Sequence, residues 1–216
     1  MLTLWLVVIG VLCFAAGAGI TGAWLRRYPS AANAVNTSRF MHALFFAGLV
    51  LPALIAMFRP GLAHIDELLG LPPLPARIIF LALGIVLALP GLYLMAITNK
   101  LLRARGSGTN AFRLTKRIVA DDIYERTRNP MSLGFYLLAL AAGFVSGSTG
   151  VTLIALLGLI PAHLFFLRYF EELELELRFG ASYVDYKNRV PFLLPRFGRP
   201  SSQPPQGGVG DRRDRV

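Results

Sequence analysis

Charge is scarce in this chain. Only 16% of its 216 residues are Asp, Glu, Lys or Arg, where ordinary globular domains carry about a quarter, and 55% are hydrophobic. A water-exposed surface needs more polar residues than that, so the composition points to lipid as part of the solvent. Cysteine is scarcer still. Cys13 stands alone inside an apolar run, which excludes a disulfide framework or a cysteine-based zinc site within one chain. Acids are outnumbered by bases, 12 to 22, for a formal charge of +10. The bases form no continuous stripe but collect between apolar runs, the pattern of membrane topology and not of phosphate-backbone binding. Neither nucleic acid nor a metal is expected as a partner.

A helix crosses the bilayer core with about 20 apolar residues. Residues 2–25, 40–58 and 78–98 meet or nearly meet that length. Residues 131–167 contain no Asp, Glu, Lys or Arg, and Ser146, Gly147, Ser148, Thr149 and Gly150 interrupt them near the middle. That reads as a tight helical hairpin whose first arm is short, about 15 to 18 residues. The expectation is an all-α, polytopic membrane bundle of about five transmembrane helices with a C-terminal cytoplasmic helical segment. It divides into an N-terminal three-helix region (1–98), a region carrying the chemistry (99–197) and a polar, Pro/Gly-rich tail (198–216) expected to be disordered.

The loops give an orientation. Residues 26–39 hold Arg26, Arg27 and Arg39 and no acid; 59–77 hold Arg59 and Arg77 against Asp66 and Glu67; 99–130 hold eight bases and three acids. The 146–150 turn is uncharged and the C-terminal segment is basic again. The positive-inside rule then puts the N-terminus outside and the C-terminus in the cytoplasm, in a bacterial inner membrane. The first run is longer than a signal-peptide core and has no preceding base, so it is expected to be retained. Pro52, Pro90 and Pro161 fall inside spans, where each removes a backbone donor and favours a kink.

Polar capacity is concentrated between residues 100 and 200, since the first three spans contain only His42 among ionisable groups. Arg128-Asn129-Pro130 stands directly before an apolar helix. Asparagine is a favoured N-cap and proline a favoured first helical residue, and free amides beside Arg128 suit an anion. Arg168, Glu171 and Glu172 lie where the last span ends, with Arg168 and Glu172 four apart on one face, and carboxylates there suit an ammonium group. His163 lies eight residues before Glu171, about 12 Å along a helix, toward the bundle interior. Tyr183 and Tyr186 share a helical face. Ala141, Ala142 and Gly143 are small enough to leave room for a lipophile beside the short span.

Taken together, these segments resemble the isoprenylcysteine carboxyl methyltransferase and phospholipid methyltransferase superfamily. The resemblance rests on Gly106-Ser107-Gly108; Tyr124-Glu125-Arg126-Thr127-Arg128-Asn129-Pro130-Met131 with Gly134; Glu171-Glu172; and Phe179-Gly180 with Tyr183, Tyr186, Val190 and Pro191. It covers roughly residues 103–197. It implies an integral-membrane enzyme using S-adenosyl-L-methionine. Gly106, Gly108, Tyr124, Arg128, Asn129, Pro130, Gly134, Glu171, Glu172, Tyr183 and Tyr186 would then bind the cofactor, with His163, Arg168 and Glu171 as candidates for catalysis. The implied acceptor is lipophilic: an isoprenylcysteine-like carboxylate, a phospholipid amine or a related amphiphile, small or attached to a lipidated partner. Asp122 stands where many members have glycine and Ser132 where many have tyrosine. Two other readings are an NADPH-dependent membrane reductase of the sterol-reductase type and an inactive membrane scaffold.

Overall fold

The computed structural model describes residues 2–58, 64–105 and 114–196. The loop glycines Gly106 and Gly108 and the tail 198–216 lie outside the described residues. The described residues are helical throughout their regular structure. In chain order they form α1 (Leu2–Arg27), α2 (31–58), a short α3 (His64–Leu69), α4 (Arg77–Arg105), a single 3₁₀ turn (Asp122–Glu125), α5 (Pro130–Ser146), α6 (Thr149–Phe179) and α7 (Ala181–Arg189).

Four of these, α1, α2, α4 and α6, are long and apolar enough to cross a membrane, and α5 is an apolar helix of 17 residues. The polytopic helical bundle and its short fourth arm therefore stand as the apolar runs indicated. Ends differ from the expectation. Residues 26–39 are not a loop: α1 runs through Arg27 and α2 begins at Ala31, where Ser30 caps it by accepting from the Asn33 amide at 3.1 Å. Apolarity located the span, but helix continues into polar sequence when a cap and good formers allow it. Likewise α4 extends seven residues past Thr98, and 59–77 contains α3.

Two of the three prolines sit just after a wide π-turn. Phe46–Val50 precedes Pro52 and Ile154–Leu159 precedes Pro161, so the widened turn reorganises the carbonyls that proline leaves without a donor. Pro90 is carried inside α4. A third π-turn, Leu167–Glu171, has no proline and falls on the polar end of α6. There it changes which way successive residues point.

Hydrogen bonds sort the connections onto two ends. At one, Asp66 of α3 accepts from Ser148 Oγ at 2.9 Å and from the Thr149 and Gly150 amides at 3.1 and 2.5 Å, capping α6. The Leu74 amide reaches Gly147 O at 2.9 Å, and Leu4 near the N-terminus packs with Ile65. At the other end Arg26 donates to Tyr169 O at 2.7 Å, Arg105 pairs with Asp121, and Arg128 pairs with Glu172. This two-sided arrangement is the one that the alternation of basic and non-basic loops predicts. The main apolar core joins α1, α2 and α6 around Phe14, Leu25, Met41, Leu167 and Phe170. The helix α4 packs along α5.

Candidate active site

The space between α2 and the α4–α5 pair continues to the polar end as one cavity of about 570 Å³. Its polar end is built by two segments that are far apart in sequence. The Arg128 amide donates to Pro191 O at 2.9 Å, the Arg196 amide to Arg126 O at 3.0 Å, and Thr127 Oγ1 to Leu193 O at 2.8 Å. Asn129 occupies the N-cap position of α5 without capping it through its side chain, since its Nδ2 donates to Phe192 O at 2.9 Å. The Arg-Asn-Pro and Val-Pro segments are thus one stitched unit. Asparagine serves the stitch, in place of the capping expected of it, because an amide supplies the donor that a backbone carbonyl across the cavity mouth requires.

Arg128 projects from this unit with its side chain 6% exposed. Its Nη1 lies 2.9 Å from Glu172 Oε1. That contact has ion-pair distance without hydrogen-bond alignment, for Arg128 Nε and Nη1 and Glu172 Oε1 all lack a hydrogen-bond partner. Glu172 is held from other sides as well, by Lys187 Nζ at 3.0 Å and more loosely by Arg168 Nη1 at 3.9 Å. Lys187 also pairs with Glu176 at 2.7 Å, which together with Glu172 holds its ammonium above its ordinary pKa. Glu171, one residue earlier on the π-turn, lines the cavity, and among the described residues no cation lies within ion-pair distance of it. The Glu-Glu pair therefore splits: Glu172 is neutralised inside the wall, and Glu171 faces the space.

Tyr124, Tyr183 and Tyr186 line the same end, and Tyr186 Oη donates to Tyr124 O at 2.9 Å. Burial, followed by the Glu171 charge, raises the Tyr124 and Tyr183 phenols above their usual pKa, and burial does the same for Tyr186. All three stay protonated at neutral pH. Asp122, where many relatives in the resembled superfamily have glycine, has φ of 61°, a left-handed conformation that glycine adopts freely and aspartate better than most.

Asn129, Pro130 and His163 line the cavity too, the last with Tyr136 Oη 2.8 Å from its Nδ1. Arg168 does not. Its side chain is 57% exposed and its guanidinium lies 3.7 Å from the centre of the Phe192 ring. Gly134 lies at the α4–α5 crossing, where a Cβ would stand 2.9 Å from Gly91 O and 3.0 Å from Leu94 Cβ. Gly134→Ala should accordingly lower the unfolding midpoint in detergent by an amount matching about 1–3 kcal/mol, the usual cost of overpacking.

Ala141 and Gly143 leave no room for a lipophile. Ala141 is buried and a Cβ at Gly143 would meet Thr152 Oγ1 at 2.4 Å, so the small residues seat α6. The cavity also has walls that sequence reasoning missed. Ser38, His42 and Phe45 come from α2, outside every recognised motif, although His42 as the lone ionisable group in the first three spans was the available signal. Arg178, four residues after Glu174, pairs with it at 2.5 Å and donates to Thr115 O, tying the 114–119 segment over the cavity. Among the described residues no group of three His, Cys, Asp or Glu is placed to hold a metal ion.

Two comparisons with known proteins give a match. The family model described as phospholipid methyltransferase matches residues 79–182, from α4 into α7. The chain is also similar to methanethiol S-methyltransferase 2 of Bradyrhizobium diazoefficiens, with 39% identity over 82 residues, which cover 34% of this chain and 27% of that protein. The match thus spans about a quarter of the relative's length. No solved structure matches. Through residues 79–182, just under half of its length, this integral membrane chain is similar to the phospholipid methyltransferase family.

Proposed function

We propose that the cavity binds S-adenosyl-L-methionine at its polar end and a lipophilic methyl acceptor in its apolar arm. The single observation that carries this reading is the juxtaposition of unmet polar groups on one wall. Arg128 offers two buried donors without acceptors, and Glu171 offers a carboxylate without a cation. A buried donor left unpaired costs about 1–3 kcal/mol, so such a pair fits a zwitterionic amino-acid group, carboxylate to Arg128 and ammonium to Glu171. Tyr124, Tyr183 and Tyr186 supply aromatic faces for a nucleoside, and Tyr124 and Tyr183 phenol donors, while Asn129 and Pro130 hold the Arg128 segment in place. Glu172 acts one step back, fixing Arg128, and Arg168 covers Phe192 from outside. The bound cofactor supplies an electrophilic methyl group. The protein's part is to orient the acceptor in line with it and to exclude water.

The region 99–197 provides most of this machinery and 1–98 the membrane frame, with α2 crossing that division to wall the apolar arm. A lipophilic acceptor leaves the bilayer at about 0.8 kcal/mol per exposed methylene, so it should arrive sideways through the gap between α2 and α4. Val50 and Met95 stand on this route. Val50→Trp should raise KM for a long-chain acceptor about tenfold and leave cofactor affinity within twofold. Equal effects on short and long acceptors would point to another route.

We place the polar end in the cytoplasm, where the cofactor is found, and the N-terminus outside. In a Cys13→Ser background, Glu67→Cys should react with an impermeant maleimide from outside intact cells, and Asn188→Cys only after permeabilisation. Both reacting from one side would contradict the five-span arrangement.

The activity itself is tested by incubating purified protein with methyl-labelled S-adenosylmethionine and fractionated membrane lipids, carboxylate amphiphiles and thiols. Label should appear in an apolar acceptor. Its absence from every fraction while cofactor binds would favour the inactive-scaffold reading.

A further inference from the structure

The apolar arm of the cavity contains one imidazole that no recognised motif predicts. His42 sits on α2 among Met41, Phe45, Phe46, Phe135 and Met131, all lining the same space. Its Nδ1 lies 2.8 Å from Ser38 O. A carbonyl only accepts, so Nδ1 carries the hydrogen, and the neutral ring presents a lone pair at Nε2. Among the described residues Nε2 has no hydrogen-bond partner. The neighbouring His163 is differently placed: its Nδ1 meets Tyr136 Oη and rings of Phe14, Phe45, Phe135 and Phe166 enclose it. His163 is a buried part of the arm's aromatic floor, whereas His42 is only half-buried.

The chemistry of the arm narrows what such a nitrogen serves. A carboxylate acceptor arrives already ionised and has no proton for a base to take; the cations that line the cavity, Arg117, Arg128 and Arg178, come from the 114–128 and 174–179 segments and not from α2. A neutral acceptor needs a base. Between a thiol and imidazolium the ordinary acidity gap is about two pKa units, whereas an alkylammonium lies about four units away and releases its proton far less readily. Thioether and phenyl walls, here Met41, Met95 and Met131 with Phe45 and Phe135, also make favourable contacts with sulfur.

We infer that His42 Nε2 takes the proton from an apolar thiol acceptor held in this arm, an assignment that rests on the methyltransferase reading above. As the S–H proton moves to Nε2, the acceptor sulfur's electron pair forms the new bond to the methyl carbon. The bond from that carbon to the donor's sulfonium sulfur breaks, and its pair stays on that sulfur, leaving a neutral thioether. The imidazolium returns its proton to solvent when the products depart. This assigns a catalytic group to α2, ahead of the segment that matches the family.

The test compares His42→Gln with the native protein on two acceptors of similar size, an alkanethiol and an acidic fluorinated arenethiol that is already ionised at neutral pH. The expected result is a loss of about 100-fold in kcat on the alkanethiol, the scale of general base catalysis, and less than about threefold on the arenethiol. S-adenosylmethionine affinity of the variant, expected to be unchanged, verifies its fold. Independently, diethylpyrocarbonate should modify His42 in donor-free native protein, read by mass spectrometry, and a long-chain alkanethiol should slow that modification. Equal losses on both acceptors, or no protection by the thiol, would overturn the assignment. If the native protein methylates other acceptors and no thiol, the assignment fails while the methyltransferase reading stands. If it binds no S-adenosylmethionine, both fail together.

Discussion

Arg128→Ala should weaken S-adenosylmethionine binding about 100-fold, and methyl transfer at low cofactor concentration by the same factor. One charge-assisted hydrogen bond contributes about 1.5–3 kcal/mol, and Arg128 has two buried donors to offer. The substitution also strips Glu172 of its closest cation, and breaking a buried ion pair costs about 3–5 kcal/mol. Lys187 at 3.0 Å offsets part of that cost. Arg128→Lys separates the two effects. It keeps a positive charge beside Glu172 and so should restore most of the stability, but an ammonium lacks the planar fork that grips a carboxylate and should restore little of the affinity. Isothermal titration in detergent and a thermal melt of each variant read the two quantities independently. Wild-type affinity in Arg128→Ala would return Arg128 to a purely structural role.

The largest effect on stability is expected far from the cavity. Asp66→Ala removes the acceptor for Ser148 Oγ and for two amides at the start of α6, in a site where Asp66 is 6% exposed and Ser148 fully buried. Three donors then lose their partner, and the positive end of the helix dipole loses its counter-charge. About 3–5 kcal/mol should be lost, seen as a lower midpoint in detergent unfolding. Asp66→Asn, which keeps one acceptor oxygen, should lose about half as much. Cofactor affinity of the folded fraction should not change, because Asp66 lies at the opposite end from Arg128. A midpoint for Asp66→Ala equal to that of the native protein would mean that water replaces the cap.

Asp66 also shows where sequence reasoning stops. Its neighbourhood read as a hydrophilic connection, and nothing local announces that an acid between two spans is buried under a helix start 82 residues later. What was legible was whatever composition imposes locally. Apolar length gave the spans, and loop charge gave the two ends. The Arg-Asn-Pro, Glu-Glu and tyrosine segments drew attention because polar residues are expensive beside a bilayer and need a reason to be there. Their assembly was not legible. The stitching of 126–129 to 191–196 depends on backbone carbonyls, which carry no residue identity. The division of labour between Glu171 and Glu172 depends on a π-turn, and a widened turn leaves no mark in a 3.6-residue pattern when no proline accompanies it. Gly134 stood in a motif and serves helix packing, whereas His42 stood in no motif and lines the cavity. Spacing along the chain does not distinguish these two cases; the direction of each side chain does.

The most direct measurement of the central claim is a parallel titration of the purified protein, in detergent, with S-adenosylmethionine, its demethylated product and NADPH. If Arg128 and Glu171 form an amino-acid clamp at the polar end of the cavity, the first two should bind with one site per chain, and Glu171→Gln should weaken both at least tenfold. NADPH, which has no amino-acid group for that clamp, should give no heat of binding. Saturable binding of NADPH with none of S-adenosylmethionine would contradict the account and favour the membrane reductase.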